Sequence, residues 1–363
     1  MSDQLPNFAS RRVIRPPSDP KKFPPRHGNQ NPNANARKYV RWGFKGLAIV
    51  AGAALAVAGI SAFDLYNQLN KDNIVLANAG EVDLNGPLDI LVVGSDTRDG
   101  QGAEFGDVDS ELADVIMLLH INQNREDAVV ISFPRDLLVT IPECPNPEGG
   151  TFPLRNRQQI NSSIGYGGVA CTHLTVEEFT GLDIPFVAMI DFKGVIEMSN
   201  AVGGVEVVID KPISDAYSNF YIDAGTHTLQ GADALGFLRT RHGIGDGSDL
   251  ARISNQQLFL TSLFNKIKQD GTLNNPIRLY SLASAAARNM KLSESMTDLA
   301  TMVTLAGAMR DVDSSRMVFT QVPTSVLSGA ETGRLEAVSE DAKNLFKQID
   351  NDLPITIEPT PAQ

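Results

Sequence analysis

The sequence predicts an α/β fold in which a mixed central β-sheet carries helices on both faces, preceded by a single transmembrane helix. Three observations lead there. One apolar run is long enough to span a bilayer, apolar strands alternate with segments of helical periodicity beyond it, and two of the strands form a hairpin.

The run is residues 46–63 (GLAIVAGAALAVAGISAF), uncharged between Lys45 and Asp64. At 1.5 Å per residue it reaches roughly 27 Å, close to the ~30 Å hydrocarbon core. Trp42 and Tyr66 flank it where interfacial aromatics belong. A cleaved signal peptide has a shorter apolar core and a shorter leader than the 45 residues here. Arg37, Lys38, Arg41 and Lys45 crowd the amino-terminal flank, so the positive-inside rule leaves that end in the cytoplasm. The expected organisation is a disordered basic cytoplasmic tail (1–45), a transmembrane helix (46–66), a linker (67–86), an extracytoplasmic domain (87–350) and a carboxy-terminal tail (351–363). This is a single-pass type II protein of the cell membrane.

Charge divides at the same place. The chain holds 43 acidic and 31 basic residues, but residues 1–45 carry ten Lys/Arg against two Asp, leaving the remainder strongly acidic. An acidic exported domain excludes nucleic acid as a partner and makes the bilayer the partner of the basic tail. Cys144 and Cys171 both fall on the exported side. Two thiols are too few for a typical metal site, so a structural disulfide is expected.

Within the domain, residues 88–93 read as a strand ending in Gly94-Ser95-Asp96. Residues 113–121 and 128–133 are two strands joined by a polar turn, the hairpin. Residues 186–190 and 205–209 are further strands bracketing a helix through 195–198. Thr175 and Glu178 have capping-box spacing, predicting a short helix that Gly181 ends. A helix begins near Gly231. A longer one runs from 248 or 249 to about 270, with Leu250, Ile253, Leu260, Phe264 and Ile267 at helical spacing. Helices near 276–290 and 296–310 precede a last strand at 316–321.

Charged clusters sit at the ends of apolar strands, where α/β proteins often place function. Each alone reads as an ordinary turn, strand end or helix terminus. Together, Arg98, Arg135, Arg239, Arg241 and Arg252 stand out in an acidic domain, and planar guanidinium groups suit phosphate oxygens. Asp96 and Asp114 offer hard oxygen ligands for Mg²⁺. The residues themselves therefore point to a polyanion site, a pyrophosphate above all. No GxSxG, HExxH or GxxxxGK[ST] motif occurs. His120, on an apolar strand, reads as a core residue, and His242 is the histidine placed to carry a proton. Val195 and Ile196, with the apolar face of the long helix, are candidates to line a lipid tunnel.

Six ordered motifs resemble the LytR-CpsA-Psr family of membrane-anchored cell-wall enzymes: GSDTR (94–98), DVIMLLHI followed by SFPRD, QINSSIGYGG (159–168), FKGVIEMSNAVGGVEV, LQGADALGFLRTR (229–241) and SDLARISNQQ (248–257). The resemblance implies that domain 87–350 is catalytic and transfers a glycopolymer from a polyprenyl-pyrophosphate carrier to peptidoglycan through a phosphodiester. It implies that Asp96 and Asp114 bind Mg²⁺ or Mn²⁺ and that Arg135, Arg239 and Arg241 grip the pyrophosphate, aided by Arg98, Arg252 and Gln256. Asp249 is the carboxylate chosen to take the hydroxyl proton. Leu112 and Asn255 stand where many family members have Arg. Two alternatives share these residues: a hydrolase of the lipid diphosphate, and a non-catalytic receptor for lipid-linked wall intermediates.

Overall fold

The computed structural model describes residues 63–69, 71, 73–76, 82–96, 112–146, 148–241 and 249–355. The expected cytoplasmic tail, most of the expected transmembrane helix, Arg98, His242 and residues 356–363 lie outside them. No helix among the described residues is long and apolar enough to cross a membrane.

Six strands make the central sheet: β1 (Leu88–Ser95), β2 (Ala113–Ile121), β3 (Ala128–Phe133), β4 (Phe186–Ile190), β5 (Met290–Leu292) and β6 (Met317–Gln321). Their order is β5-β4-β1-β2-β3-β6. Pairing is antiparallel for β1/β2, β2/β3 and β4/β5, and parallel for β1/β4 and β3/β6, so the sheet is mixed.

Beyond β1 the described residues hold seven α-helices: α1 (Ser163–Thr180), α2 (Phe192–Ala201), α3 (Ala232–Arg239), α4 (Asp249–Gln269), α5 (Pro276–Asn289), α6 (Leu299–Asp311) and α7 (Ser339–Asp350). Period-2 alternation decides which helix covers which face. Leu91, Val93, Leu118, Ile131 and Phe133 point to the side packed by Ile164 and Val176 of α1 and Phe346 of α7. Leu88, Ile90 and Phe186 point the other way, against Phe264 of α4 and Leu305 and Ala308 of α6. Both faces are buried, which explains why these strands read as continuous apolar runs. A separate small core joins the paired strands Val205–Ile209 and Gly225–Leu229 to Phe237 of α3 and Phe259 of α4.

One local expectation needs correcting. The helix ending at Gly181 starts at Ser163, twelve residues before Thr175. Thr175 sits inside it, and its hydroxyl donates to the carbonyl of Cys171 (2.7 Å), so the capping-box spacing is coincidental. Gly181 does end the helix, in the left-handed conformation (φ 74°) that favours glycine. The strand at 205–209 forms as expected and pairs with Gly225–Leu229 in a two-stranded sheet apart from the central one. His120 is buried beside Asp89, its Nδ1 2.9 Å from the carboxylate.

Cys144 and Cys171 are bonded, with Cα atoms 5.1 Å apart. Both sulfurs lie in the core formed by Ile141, Ile164 and their neighbours. Closing a loop across a separation of 27 residues restricts the unfolded chain by about 3–4 kcal/mol. Reduction is therefore expected to lower the thermal midpoint by roughly 5–10 °C. Scanning fluorimetry with and without a phosphine reductant measures this, and an unchanged midpoint would refute it.

Candidate active site

The antiparallel β1/β2 pair does not run evenly to its end. Gly94 faces Val115 and Ser95 faces Ala113, leaving Asp114 as the extra residue of a β-bulge. A bulge redirects a side chain that regular alternation would aim elsewhere. Close strand approach accompanies it, since a Cβ on Gly94 would come within 2.9 Å of Val115 Cβ. One residue further, the Asp96 carboxylate accepts a hydrogen bond from the Leu112 N–H (2.9 Å), and the Asp96 N–H donates to the Leu112 carbonyl (3.1 Å).

Asp114 collects two arginines distant in sequence. Arg135, directly after β3, donates from Nη1 to Asp114 Oδ1 (2.7 Å). Arg252, on the first turn of α4, brings Nη1 to 3.5 Å from the same oxygen and donates from Nη2 to the Asp114 carbonyl (2.8 Å). Asp114 Oδ2 accepts no hydrogen bond among the described residues. Burial pushes the Asp114 carboxyl up, but Arg252 and the hydrogen-bonded Arg135 outweigh it and hold the group below its ordinary range. Asp114 is thus a carboxylate. Arg135 is also braced from behind by Asp136, 3.6 Å from its Nε.

The second pair comes from the end of α3. The Arg239 guanidinium lies over the Phe192 ring, 4.4 Å from its centroid. Thr240, fully buried, donates back to the Gly236 carbonyl (2.8 Å) and stops the helix, so that Arg241 leaves on extended backbone. The Arg241 N–H donates to Oδ2 of buried Asp215 (2.9 Å). Gln256 donates from Nε2 to the Leu238 carbonyl (3.3 Å), tying α4 to the same helix end.

These groups share one cavity of about 880 Å³, whose lining includes Asp114, Arg135, Arg239, Arg241, Arg252 and Gln256. Helix α4 shows how its two ends come to differ. Arg252 and Gln256, then Phe259, Leu260, Leu263, Phe264 and Ile267, recur at helical spacing along one stripe, polar first and apolar afterwards. Val195 and Met198 of α2, Leu279 and Ala283 of α5, and Leu305 and Met309 of α6 complete the apolar part. The result is a cleft with guanidinium groups at one end and hydrocarbon along the rest.

Not every candidate reaches it. Asp96 and Ile196 are not among the lining residues, whereas Val195 is. Ile253 is buried outside the cavity. Asp249 opens α4, but its side chain and that of Leu250 lie outside the described residues. Sequence reasoning missed Phe192, Asp215 and Tyr217, all in the lining. The Asp215-Ala-Tyr-Ser-Asn run is the end of one strand and the turn of the hairpin it forms with Phe220–Ile222, and nothing in the local sequence sets it apart.

Residues 52–351 match the LytR_cpsA_psr family. The chain belongs to that family. Among LytR_cpsA_psr relatives, the cell wall biosynthesis protein LcpA of Corynebacterium glutamicum is 28% identical over 271 residues, 68% of this chain and 51% of that protein. The chain thus spans about half the length of this relative. The polyisoprenyl-teichoic acid–peptidoglycan teichoic acid transferase TagT of Bacillus subtilis is 26% identical over 302 residues, 77% of this chain and 86% of that protein. The fold is shared with a LytR-Csp2A-Psr enzyme from Actinomyces oris, at a TM-score of 0.57 and 22% identity, covering 76% of this chain and 94% of the other.

Proposed function

We propose that this protein is a phosphotransferase that moves a glycopolymer from a polyprenyl-pyrophosphate carrier to a peptidoglycan hydroxyl on the outer side of the cell membrane. One observation carries the reading: guanidinium groups from three separate parts of the chain meet at one end of a cleft that is otherwise apolar. A polyprenyl diphosphate has the same division, with four or more phosphate oxygens at one end and hydrocarbon at the other. The B. subtilis relative named as a polyisoprenyl-teichoic acid transferase supports the same substrate class.

In the transfer step, an acceptor hydroxyl oxygen bonds to the glycan-linked phosphorus. The bond from that phosphorus to the bridging oxygen breaks, and polyprenyl phosphate leaves with the electron pair. The hydroxyl proton passes to a carboxylate, assigned to Asp249. Arg135, Arg239 and Arg241 face the charge that grows on the departing phosphate, and bidentate guanidinium contacts stabilise it without a protein nucleophile. Arg252 and Gln256 set the distance between the α3 end and the Asp114 bulge, and Arg98 is assigned to the same phosphates. The phosphoanhydride is already activated, so no nucleotide is required.

The donor chemistry suits a divalent ion: Asp96 and Asp114 stand at the ends of adjacent strands, and the Asp114 carboxyl, held below its ordinary range, accepts no hydrogen bond at Oδ2 among the described residues. These two residues would hold Mg²⁺ or Mn²⁺, which when bound supplies positive charge to phosphate oxygens. Residues 46–66 are proposed as the membrane anchor that keeps the domain beside its lipid substrate, with the amino terminus in the cytoplasm.

Full-length protein in detergent micelles, given a polyprenyl-diphosphate glycan and peptidoglycan fragments, tests this by mass spectrometry. The expected products are fragments carrying phosphate-linked glycan and an equal amount of polyprenyl monophosphate, and a chelator is expected to stop both. Free glycan phosphate without acceptor product would make it a hydrolase. Binding without turnover would make it a receptor.

A further inference from the structure

Helix α5 carries no charged residue from 279 to 287, and α6 none from 299 to 309, although the domain around them is strongly acidic. Both helices line the apolar part of the cleft, and Val303 of α6 lines it while remaining 57% exposed, so the cleft reaches the surface there. Ile277, between the lining residues Pro276 and Leu279 on the first turn of α5, is 76% exposed. Residues 63–69 form a short helix that joins this end of the cleft. Leu65 lines the cavity, and Leu65 and Leu69 are buried in one cluster with Ala283 and Ala287 of α5 and Met302 of α6. Arg288 of α5 donates from Nη1 to Gln68 Oε1 of that short helix (3.4 Å). Its first residue, Phe63, is exposed and is also the last residue of the apolar run. Leu65 therefore follows the run by two residues, at most about 7 Å of chain.

We infer that the folded domain makes its own contact with the membrane: the rim carrying Ile277 and Val303, at the apolar mouth of the cleft, inserts into the outer surface of the bilayer. This rests on residues 46–66 being the anchor and adds which face of the domain meets lipid. Connectivity supports it, because an anchor that ends at residue 63 keeps Leu65, and the cleft wall that Leu65 helps to form, beside the bilayer surface. Apolar side chains presented there on charge-free stretches of helix bury in the boundary between headgroups and acyl chains, to a depth of roughly 5–10 Å. Arg278 and Arg288 stand at the two ends of the charge-free stretch of α5, where attraction to anionic headgroups offsets the repulsion between such a surface and an acidic domain. The polyprenyl chain then passes from bilayer to cleft without crossing water, and its diphosphate rises off the surface to the arginine end.

The test uses full-length protein reconstituted in vesicles of phosphatidylcholine and phosphatidylglycerol, with anchoring checked by flotation. The only cysteines of the chain, Cys144 and Cys171, are bonded to each other, so Ile277→Cys and Val303→Cys variants each take a single environment-sensitive fluorophore. Leu154→Cys and Val326→Cys, at exposed apolar positions outside the cleft lining, are the controls. Lipid carrying a nitroxide high on its acyl chain is expected to quench the labels at 277 and 303 at least about twofold and those at 154 and 326 less than about 1.2-fold. A label at 277 or 303 quenched no more than the controls would overturn the membrane contact while leaving the anchor in place. Rim labels shifted to the blue without lipid quenching would assign the face to a second copy of the chain and overturn it equally. Wild-type protein that fails to float with the vesicles would overturn both the contact and the anchor.

Discussion

Arg239→Ala and Arg241→Ala are each expected to lower glycan transfer by about 10²–10³-fold, the usual loss when one donor to a developing oxyanion is removed. The two arginines leave the same helix end and face the same end of the cleft, so the double variant is expected to fall little further than the worse single one. Their thermal midpoints are expected to stay within about 3 °C of wild type, because both side chains are half-buried at the cavity edge rather than in the core. Arg239→Ala also forfeits the contact over Phe192, worth roughly 0.5–1 kcal/mol. Product formation followed by mass spectrometry checks the first statement, and wild-type rates from either variant would refute the arginine grip.

Asp114→Asn is expected to damage activity and stability together. Its carboxylate is the shared partner of Arg135 and of Arg252, whose side chain is 5% exposed. Removing that charge takes the Asp114 counter-charge away from two guanidinium groups, one of them buried, and breaking a fully buried ion pair costs about 3–5 kcal/mol. Asp114 and Arg135 retain some solvent contact, so roughly 2–4 kcal/mol is expected here. The pH dependence follows from the lowered carboxyl. In the unfolded chain the group protonates near its ordinary value of about 3.9; in the folded protein it stays ionised below that. The stabilisation is therefore complete above the ordinary value and fades as pH falls through the folded one. Urea unfolding of both proteins across pH is expected to show a constant wild-type advantage between about pH 5 and 8 that shrinks below about pH 4. A gap that widens in acid would contradict this assignment.

The central sheet was legible because its strands are buried on both faces and so stand out as apolar runs; β2, β3 and β4 fall where those runs placed them. The long helix was legible from its spacing, and its change from Arg252 and Gln256 to Phe264 and Ile267 already held the polarity of the cleft. Other features depend on the third dimension. The start of α1 was hidden because its first turns contain Gly165, Gly167 and Gly168, with a kink at the last two, and glycine weakens any helical signal. The bulge at Asp114 appears only once β1 and β2 are in register. Asp215, the last residue of a short strand, carries no signal in the sequence. That its carboxylate also holds the backbone of Arg241, 26 residues later, follows from tertiary packing alone.

Equilibrium binding of a polyprenyl diphosphate and a polyprenyl monophosphate of equal chain length to the full-length protein bears most directly on the convergence of the arginines. The diphosphate is expected to bind at least about tenfold more tightly, and the Arg239→Ala/Arg241→Ala double variant is expected to erase that preference while retaining affinity for the hydrocarbon. Equal affinity of the wild-type protein for the two lipids, or a preference that survives loss of both arginines, would contradict the account.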